Sequence, residues 1–209
     1  MQLTINCLFF EKTVDVKALQ EKEHLSLEEA ARKLRYQFFE EILQAEALDK
    51  VVVGHHADDQ IETILMRLVR GSTGSGFSGM RPVREMRFGQ LIRPFLEESK
   101  TDILAYAHEH NLPYCVDETN RSPLYTRNRF RENIIPLLRK ENPRLYEHFS
   151  RFSSENQSDM DFLAELAQQK FTELGEVSEN HAKLSVTGIK KFGLSFTTAL
   201  NSFTIKIPV

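Results

Sequence analysis

Apolar residues change their spacing several times along this chain, and each change marks a predicted element. Leu8 to Val16 is apolar and β-branched enough for a strand, although Glu11 and Lys12 interrupt it. Ser26 followed by Glu29 forms a capping-box pattern, and Leu27, Ala30, Ala31, Leu34, Phe38 and Ile42 keep helical spacing behind it, predicting a helix over 27–46. Val51-Val52-Val53 is a continuous β-branched run closed by Gly54, the pattern of a parallel strand covered on both faces. Ile61, Ile64, Leu65, Leu68 and Val69 then form one helical stripe. Beyond it, Gly71 to Gly79 carries four glycines and predicts a flexible loop.

Leu91-Ile92 predicts a strand before Pro94, and Ser99 caps a helix bearing Ile103, Leu104 and Ala107 up to about His110. Leu112 to Val116 reads as a connector into a short strand, and a further helix begins near Arg127 and meets Pro136. Strands alternating with helices predict an α/β fold with a doubly wound parallel sheet. Residues 1–141 would form this domain. Over 142–175 the pattern is helical and polar and suggests a linker, while 176–209 holds competing signals, as expected of a truncated or divergent second domain.

Composition narrows the class without changing that picture. With 41% hydrophobic and 27% charged residues, the chain is neither disordered nor fibrous. Cys7 and Cys115 are too far apart for a paired motif and read as reduced cytoplasmic thiols. No apolar run is long enough to span a membrane, and no basic segment precedes the N-terminal apolar residues, so secretion and membrane insertion are not expected. The net charge of −3 hides an asymmetry: residues 121–144 hold seven basic side chains against two acidic ones, a local excess suited to phosphate.

The candidate chemistry lies in Gly54-His55-His56-Ala57-Asp58-Asp59-Gln60-Ile61-Glu62-Thr63, between a strand and a helix, where open α/β sheets bind ligands. Helical spacing sets His55, Asp59 and Glu62 on one face, away from the apolar stripe. Asp59 suits a Mg²⁺ ligand for phosphate chemistry; a histidine one turn away can donate to a leaving group, and Glu62 can orient an amine. Two other readings stay open here. Acidic residues in a first turn commonly only complement the helix dipole, and a metal-dependent hydrolase using the His-His-Ala-Asp-Asp segment is the chemical rival.

The segment GHHADDQIETILMRLVRG with the following GSTGSGFSGM resembles the signature of tRNA(Ile)-lysidine synthetases. SLEEAARKLRYQFFEEI ahead of it and LIRPFLEESKTDILAYAHEHNLPYCVDETNRSPLYTRNRFRENIIPLL behind it are similar to the same family, so that the resemblance spans about residues 8–175. It implies an adenine nucleotide alpha hydrolase-like fold of the N-type ATP pyrophosphatases and an ATP-dependent ligase. In such an enzyme ATP adenylates the wobble cytidine of a minor isoleucine tRNA, and free lysine displaces AMP to give lysidine. By motif position, His55 and Asp59 would serve ATP and Mg²⁺, and Glu62 the lysine amine. Arg127, Asn128, Arg129 and Arg131 fall in the basic signature, with Arg127 and Arg129 nearest the nucleotide. Arg67, Arg70, Arg81, Arg84, Arg87 and Arg93 could follow an RNA backbone, and Phe77 could stack on a base or anchor the loop.

The family's opening serine-glycine-glycine phosphate loop has no counterpart in these 209 residues. The expectation is therefore a sheet incomplete at its N-terminus, a chain inactive alone, and an exposed edge that favours self-association, possible as a homodimer. A noncatalytic tRNA-binding fragment is the alternative of a different class. A sulfur-transferring relative is disfavoured, because no paired cysteines are present.

Overall fold

In a computed structural model, residues 7–115, 126–178 and 181–184 are described. The chain divides into two compact units, 1–53 with 82–94, and 54–81 with 95–209.

The first unit begins with a correction. Residues 7–15 contain no strand; Asp15 instead caps helix α1 (Val16–Glu23), accepting the Ala18 N–H at 3.0 Å. The polar residues that interrupt the apolar run thus prevail over its β propensity. Helix α2 (Leu27–Ala45) has the expected capping box: Ser26 Oγ accepts the Glu29 N–H at 3.2 Å, and Glu29 accepts the Ser26 N–H at 3.0 Å. Its Ala30 and Leu43 are buried, as is Leu91 in the sheet.

That sheet is mixed rather than wholly parallel. Strand β1 (Lys50–Val52) pairs in parallel with β3 (Gly89–Ile92), which pairs antiparallel with β2 (Val83–Met86), in the order β1-β3-β2. The hairpin escaped the sequence reading because Arg84 and Glu85 make β2 look like a polar loop, and β2 is largely exposed. Gly89 is required at its turn: with φ of +148°, a Cβ there would lie 2.4 Å from the Asp49 carbonyl oxygen. β1 is an edge of the described sheet, and Val52 is 64% exposed, contrary to a strand covered on both faces. Residues 112–115 form no strand, and Val116 lies outside the described residues.

The second unit is built on helix α3 (Ala57–Val69), α4 (Lys100–Glu109) and α7 (Leu145–Leu174). A continuous helical run precedes α7: α5 (Thr126–Arg129), a π segment (Phe130–Ile134) and α6 (Ile135–Glu141). The helix expected to begin near Arg127 and meet Pro136 passes that residue with a π turn, in which the Ile135 N–H donates to the Phe130 carbonyl; an amide-less ring is accommodated by local widening. Ile61, Ile135 and Leu145 form the core, with Leu65, Leu138, Tyr146 and Phe149 packed around it. The helix expected over 142–175 therefore contributes its first turns to the same core as α3. Strands β4 (Gly175–Ser178) and β5 (His181–Leu184) make a hairpin, and 185–209 lie outside the described residues.

The glycine-rich segment differs most from expectation. Gly74–Phe77 forms a 3-10 turn, and Arg67 donates to the Gly76 and Gly79 carbonyls, both at 2.9 Å. Gln60 holds both polar groups of Met80, accepting its N–H at 2.7 Å and donating to its carbonyl at 2.9 Å. From α7, Ser153 donates to the Ser78 carbonyl at 2.6 Å, Gln157 to the same oxygen at 3.1 Å, and Asn156 to Ser78 Oγ. Phe77 stacks on Phe152 with centroids 5.9 Å apart, so it anchors the loop. Repeated glycines here allow backbone to lie against two helices rather than to move freely.

Candidate functional site

The first turn of α3 starts from His56, whose extended backbone (φ −130°, ψ −179°) makes it the N-cap. The Asp59 carboxylate accepts the His56 N–H at 3.1 Å through Oδ2, and the Ala57 N–H donates to the Glu98 carbonyl at 2.9 Å. The His56 ring lies between two carboxylates, with Nδ1 3.5 Å from Asp58 Oδ2 and Nε2 3.5 Å from Asp59 Oδ2. Nδ1 is buried without a hydrogen bond. Asp58 accepts the Tyr146 hydroxyl on one oxygen and the Lys100 N–H on the other, at 2.8 Å. Burial opposes its ionisation, but the His56 ring facing it and the bonds from the Tyr146 hydroxyl and the Lys100 N–H outweigh burial and hold the carboxyl well below the usual range. Burial and the bond to Asp58 push the Tyr146 phenol up in turn.

One turn further on, the Glu62 side chain is 0% exposed. Arg131 from the π segment grips it with a fork, Nε to Oε1 at 2.6 Å and Nη2 to Oε2 at 3.1 Å. The same Nη2 reaches Asp59 Oδ1 at 3.3 Å. Arg127 Nε lies 3.3 Å from Glu62 Oε2, and its Nη2 donates to Thr63 Oγ1 at 3.3 Å. Burial pushes the Glu62 carboxyl up while Arg131 pulls it back, and the pairing leaves Arg131 more firmly protonated.

The structure therefore brings Asp59, Glu62, Arg127 and Arg131 into one network. Arginine pairing to Asp117 or Glu118, considered from the charge pattern, falls outside the described residues. His55 is half-buried, immediately before the His56 cap. Asn128 is buried, and Arg129 is exposed, its Nη2 donating to Thr126 Oγ1 at 3.1 Å. The candidate RNA-binding arginines differ. Arg67 holds the glycine-rich loop, and Arg81 donates two hydrogen bonds to the Asp161 carboxylate, at 2.7 and 2.6 Å. Arg70 is exposed at the end of α3. In the first unit, Arg93 is buried beside Tyr36, Arg84 lies 4.7 Å over the Tyr36 ring and Arg87 5.0 Å over Phe88.

Asp58, Tyr146 and Gln60 were missed as polar anchors. Asp58 adjoins the chosen Asp59 and was discernible as a second acid in the cap, whereas its partner Tyr146 lies 88 residues away and carries no local signal. Among the described residues, no group of three His, Cys, Asp or Glu side chains is arranged to hold a metal ion, and no helix is long and apolar enough to cross a membrane.

The second unit thus holds a buried acid gripped by two arginines near the start of a helix. A family model described as a PP-loop domain matches residues 1–138, and the chain belongs to that family. Among curated proteins it is similar to the "Bifunctional protein TilS/HprT" of Listeria innocua, at 55% identity over 159 residues, covering 76% of this chain and 24% of that protein. It is also similar to the "tRNA(Ile)-lysidine synthase" of Geobacillus kaustophilus (47% over 173 residues, 83% of this chain and 37% of that one) and of Bacillus subtilis (41% over 173 residues, 83% and 36%). The resemblance to tRNA(Ile)-lysidine synthetases, ATP-dependent ligases, thus holds, and the chain spans between about a quarter and two fifths of the length of these relatives. The family match begins at residue 1, so the expected absence of an N-terminal phosphate loop is not borne out, and the expectation of inactivity loses that support.

Proposed function

We propose that this chain carries the nucleotide chemistry of lysidine formation on a minor isoleucine tRNA, in the cytoplasm. The C2 oxygen of the wobble cytidine attacks the α-phosphorus of ATP, forming an oxygen–phosphorus bond as pyrophosphate leaves. The amine of free lysine then forms a bond to C2, and AMP departs. The names of the relatives support this substrate class, and the observation that carries it is the Glu62 network.

Glu62 and Asp59 fix two guanidinium planes without exhausting them. Among the described residues, the contacts to both arginines use Nε and Nη2, so that Nη1 of Arg127 and of Arg131 can donate to a phosphate oxygen. ATP therefore fits this surface, with Arg127 and Arg131 taking phosphate, Arg129 near the nucleotide and His55 alongside at the strand-to-helix link. Glu62, with no exposed surface, anchors the guanidiniums and does not meet an amine directly in this arrangement. Asn128 is buried in the same helical run, and Arg70 offers exposed charge to RNA.

Mg²⁺ does not fit Asp59 as arranged. One carboxylate oxygen is taken by Arg131 and the other by the His56 N–H, and among the described residues no group of three His, Cys, Asp or Glu side chains could hold a metal ion. Charge on the phosphates is met here by guanidinium.

The test is ATP-dependent transfer of labelled lysine to an isoleucine tRNA with a cytidine wobble base. Transfer by this chain, abolished by omitting ATP and lowered at least about a hundredfold by Arg131→Ala, is the expected result. Salt-dependent tRNA binding with no ATP-dependent transfer would instead support the noncatalytic RNA-binding reading.

A further inference from the structure

We infer that Tyr146 is a positioning residue for the proposed reaction: acting through Asp58, it sets the orientation of His56 at the start of α3. The inference rests on the proposed function for its kinetic consequence, though not for its geometry. Asp58 binds three parts of the second unit at once. Its own backbone belongs to α3, one carboxylate oxygen accepts the Tyr146 hydroxyl from α7, and the other accepts the Lys100 N–H at the first residue of α4. That second oxygen also faces His56 Nδ1 at 3.5 Å. The imidazole is thus aimed by a carboxylate whose own position is fixed from two other helices.

The anchor is rigid on the α7 side. Leu145, adjacent to Tyr146, is buried in the core with Ile61 and Ile135, Phe149 packs against the same cluster, and the Arg139 guanidinium covers the Tyr146 ring at 5.1 Å. Tyr146 is therefore held by its ring and acts by its hydroxyl. A phenylalanine would preserve the packing and the guanidinium contact but remove the single bond that fixes the Asp58 carboxylate torsion. Asp58 would then rotate about the remaining Lys100 bond, and the His56 ring would lose the partner that faces Nδ1. The consequence is a displaced donor beside Asp59 and Arg131, with the arginine network itself unaltered.

Two readouts test this together on Tyr146→Phe and Asp58→Asn, with the exposed Tyr114→Phe as control. The first is the nitrogen chemical shifts of the His56 ring, assigned with His56→Gln. They should move in both variants and stay unchanged in the control. The second is lysine transfer, where kcat should fall about tenfold while KM for tRNA and for ATP stays within about twofold, as expected of misplacement rather than lost binding. Unmoved ring signals in Tyr146→Phe would overturn the inference whatever the activity. So would unchanged kcat in a variant whose wild-type parent is active. Moved signals in a folded wild-type and variant pair without any lysine transfer would leave the positioning contact standing and refute the proposed function.

Discussion

Helix α3 is held by two sets of contacts that differ in kind. One set is ionic: Asp59 and the completely buried Glu62 are locked to Arg131 and Arg127. The other, toward the glycine-rich loop, is largely neutral: Gln60 pins Met80 at both polar atoms, Ser153, Asn156 and Gln157 of α7 complete the bonding around Ser78, and Arg67 adds a guanidinium that donates to two loop carbonyls. The difference lies in what remains available. The loop-facing set spends its donors mostly on backbone and is a fixed wall, whereas in the ionic set no contact among the described residues uses Nη1 of Arg127 or Arg131. The proposed phosphate contact is therefore assigned to the ionic set.

The largest effect should come from the ionic set. Arg131→Ala strands the Glu62 carboxylate in a buried position with only the weaker Arg127 contact, and should cost about 3–5 kcal/mol in urea unfolding, the range for breaking a buried pair. In the loop-facing set, Gly79→Ala should cost about 1–3 kcal/mol. Its φ is +80°, and the added Cβ would lie 2.7 Å from Gln60 Oε1, forcing that anchor aside. A smaller cost for Arg131→Ala than for Gly79→Ala would remove the contrast between the two sets.

Asp58→Asn should cost about 1–3 kcal/mol at pH 7 by weakening a part-buried acceptor, and its pH dependence sharpens the comparison. The folded-state pKa of Asp58 is depressed, so its stabilisation is fully present above the unfolded value of about 4 and is lost as pH falls through the folded value. The gap between wild type and variant, measured by denaturant titration, should therefore be widest near neutrality and close in acid. The Gly79→Ala cost should be insensitive to pH over the same range. The smallest effect is expected for Arg81→Ala: its pair with Asp161 is well exposed and should contribute about 0.2–1 kcal/mol, diminishing in salt.

Local signals in the sequence were sufficient for some of this and silent about the rest. The α2 capping box and the Ser99 cap are each written within a few residues and appear as expected. The apolar stripe of α3 holds only in part: Ile61 and Ile64 are buried and Leu65 is half-buried, but Leu68 and Val69 are exposed. Asp59 and Glu62 could be placed on one face by helical spacing, and the basic signature supplied their partners' identity by type. The partners' positions were not legible, because Arg131 meets Glu62 across 69 residues and Tyr146 meets Asp58 across 88. The glycine-rich loop misled for a related reason: composition reports backbone freedom in the unfolded chain, while Gln60 and α7, which remove that freedom, are remote in sequence. The β2–β3 hairpin was hidden by its exposed, charged first strand, and the apolar run before α1 by a polar N-cap that ended it.

The central claim is that the arginine fork held by Glu62 handles phosphate in an ATP-dependent transfer to tRNA. Arg131→Lys tests it most directly, since lysine keeps the charge but cannot form the fork or retain a second donor group for phosphate. The account predicts a folded variant whose ATP-dependent lysine transfer to tRNA falls at least about tenfold below that of the active wild-type chain. Equal rates for the two proteins, or no ATP-dependent transfer by the folded wild type, would contradict it.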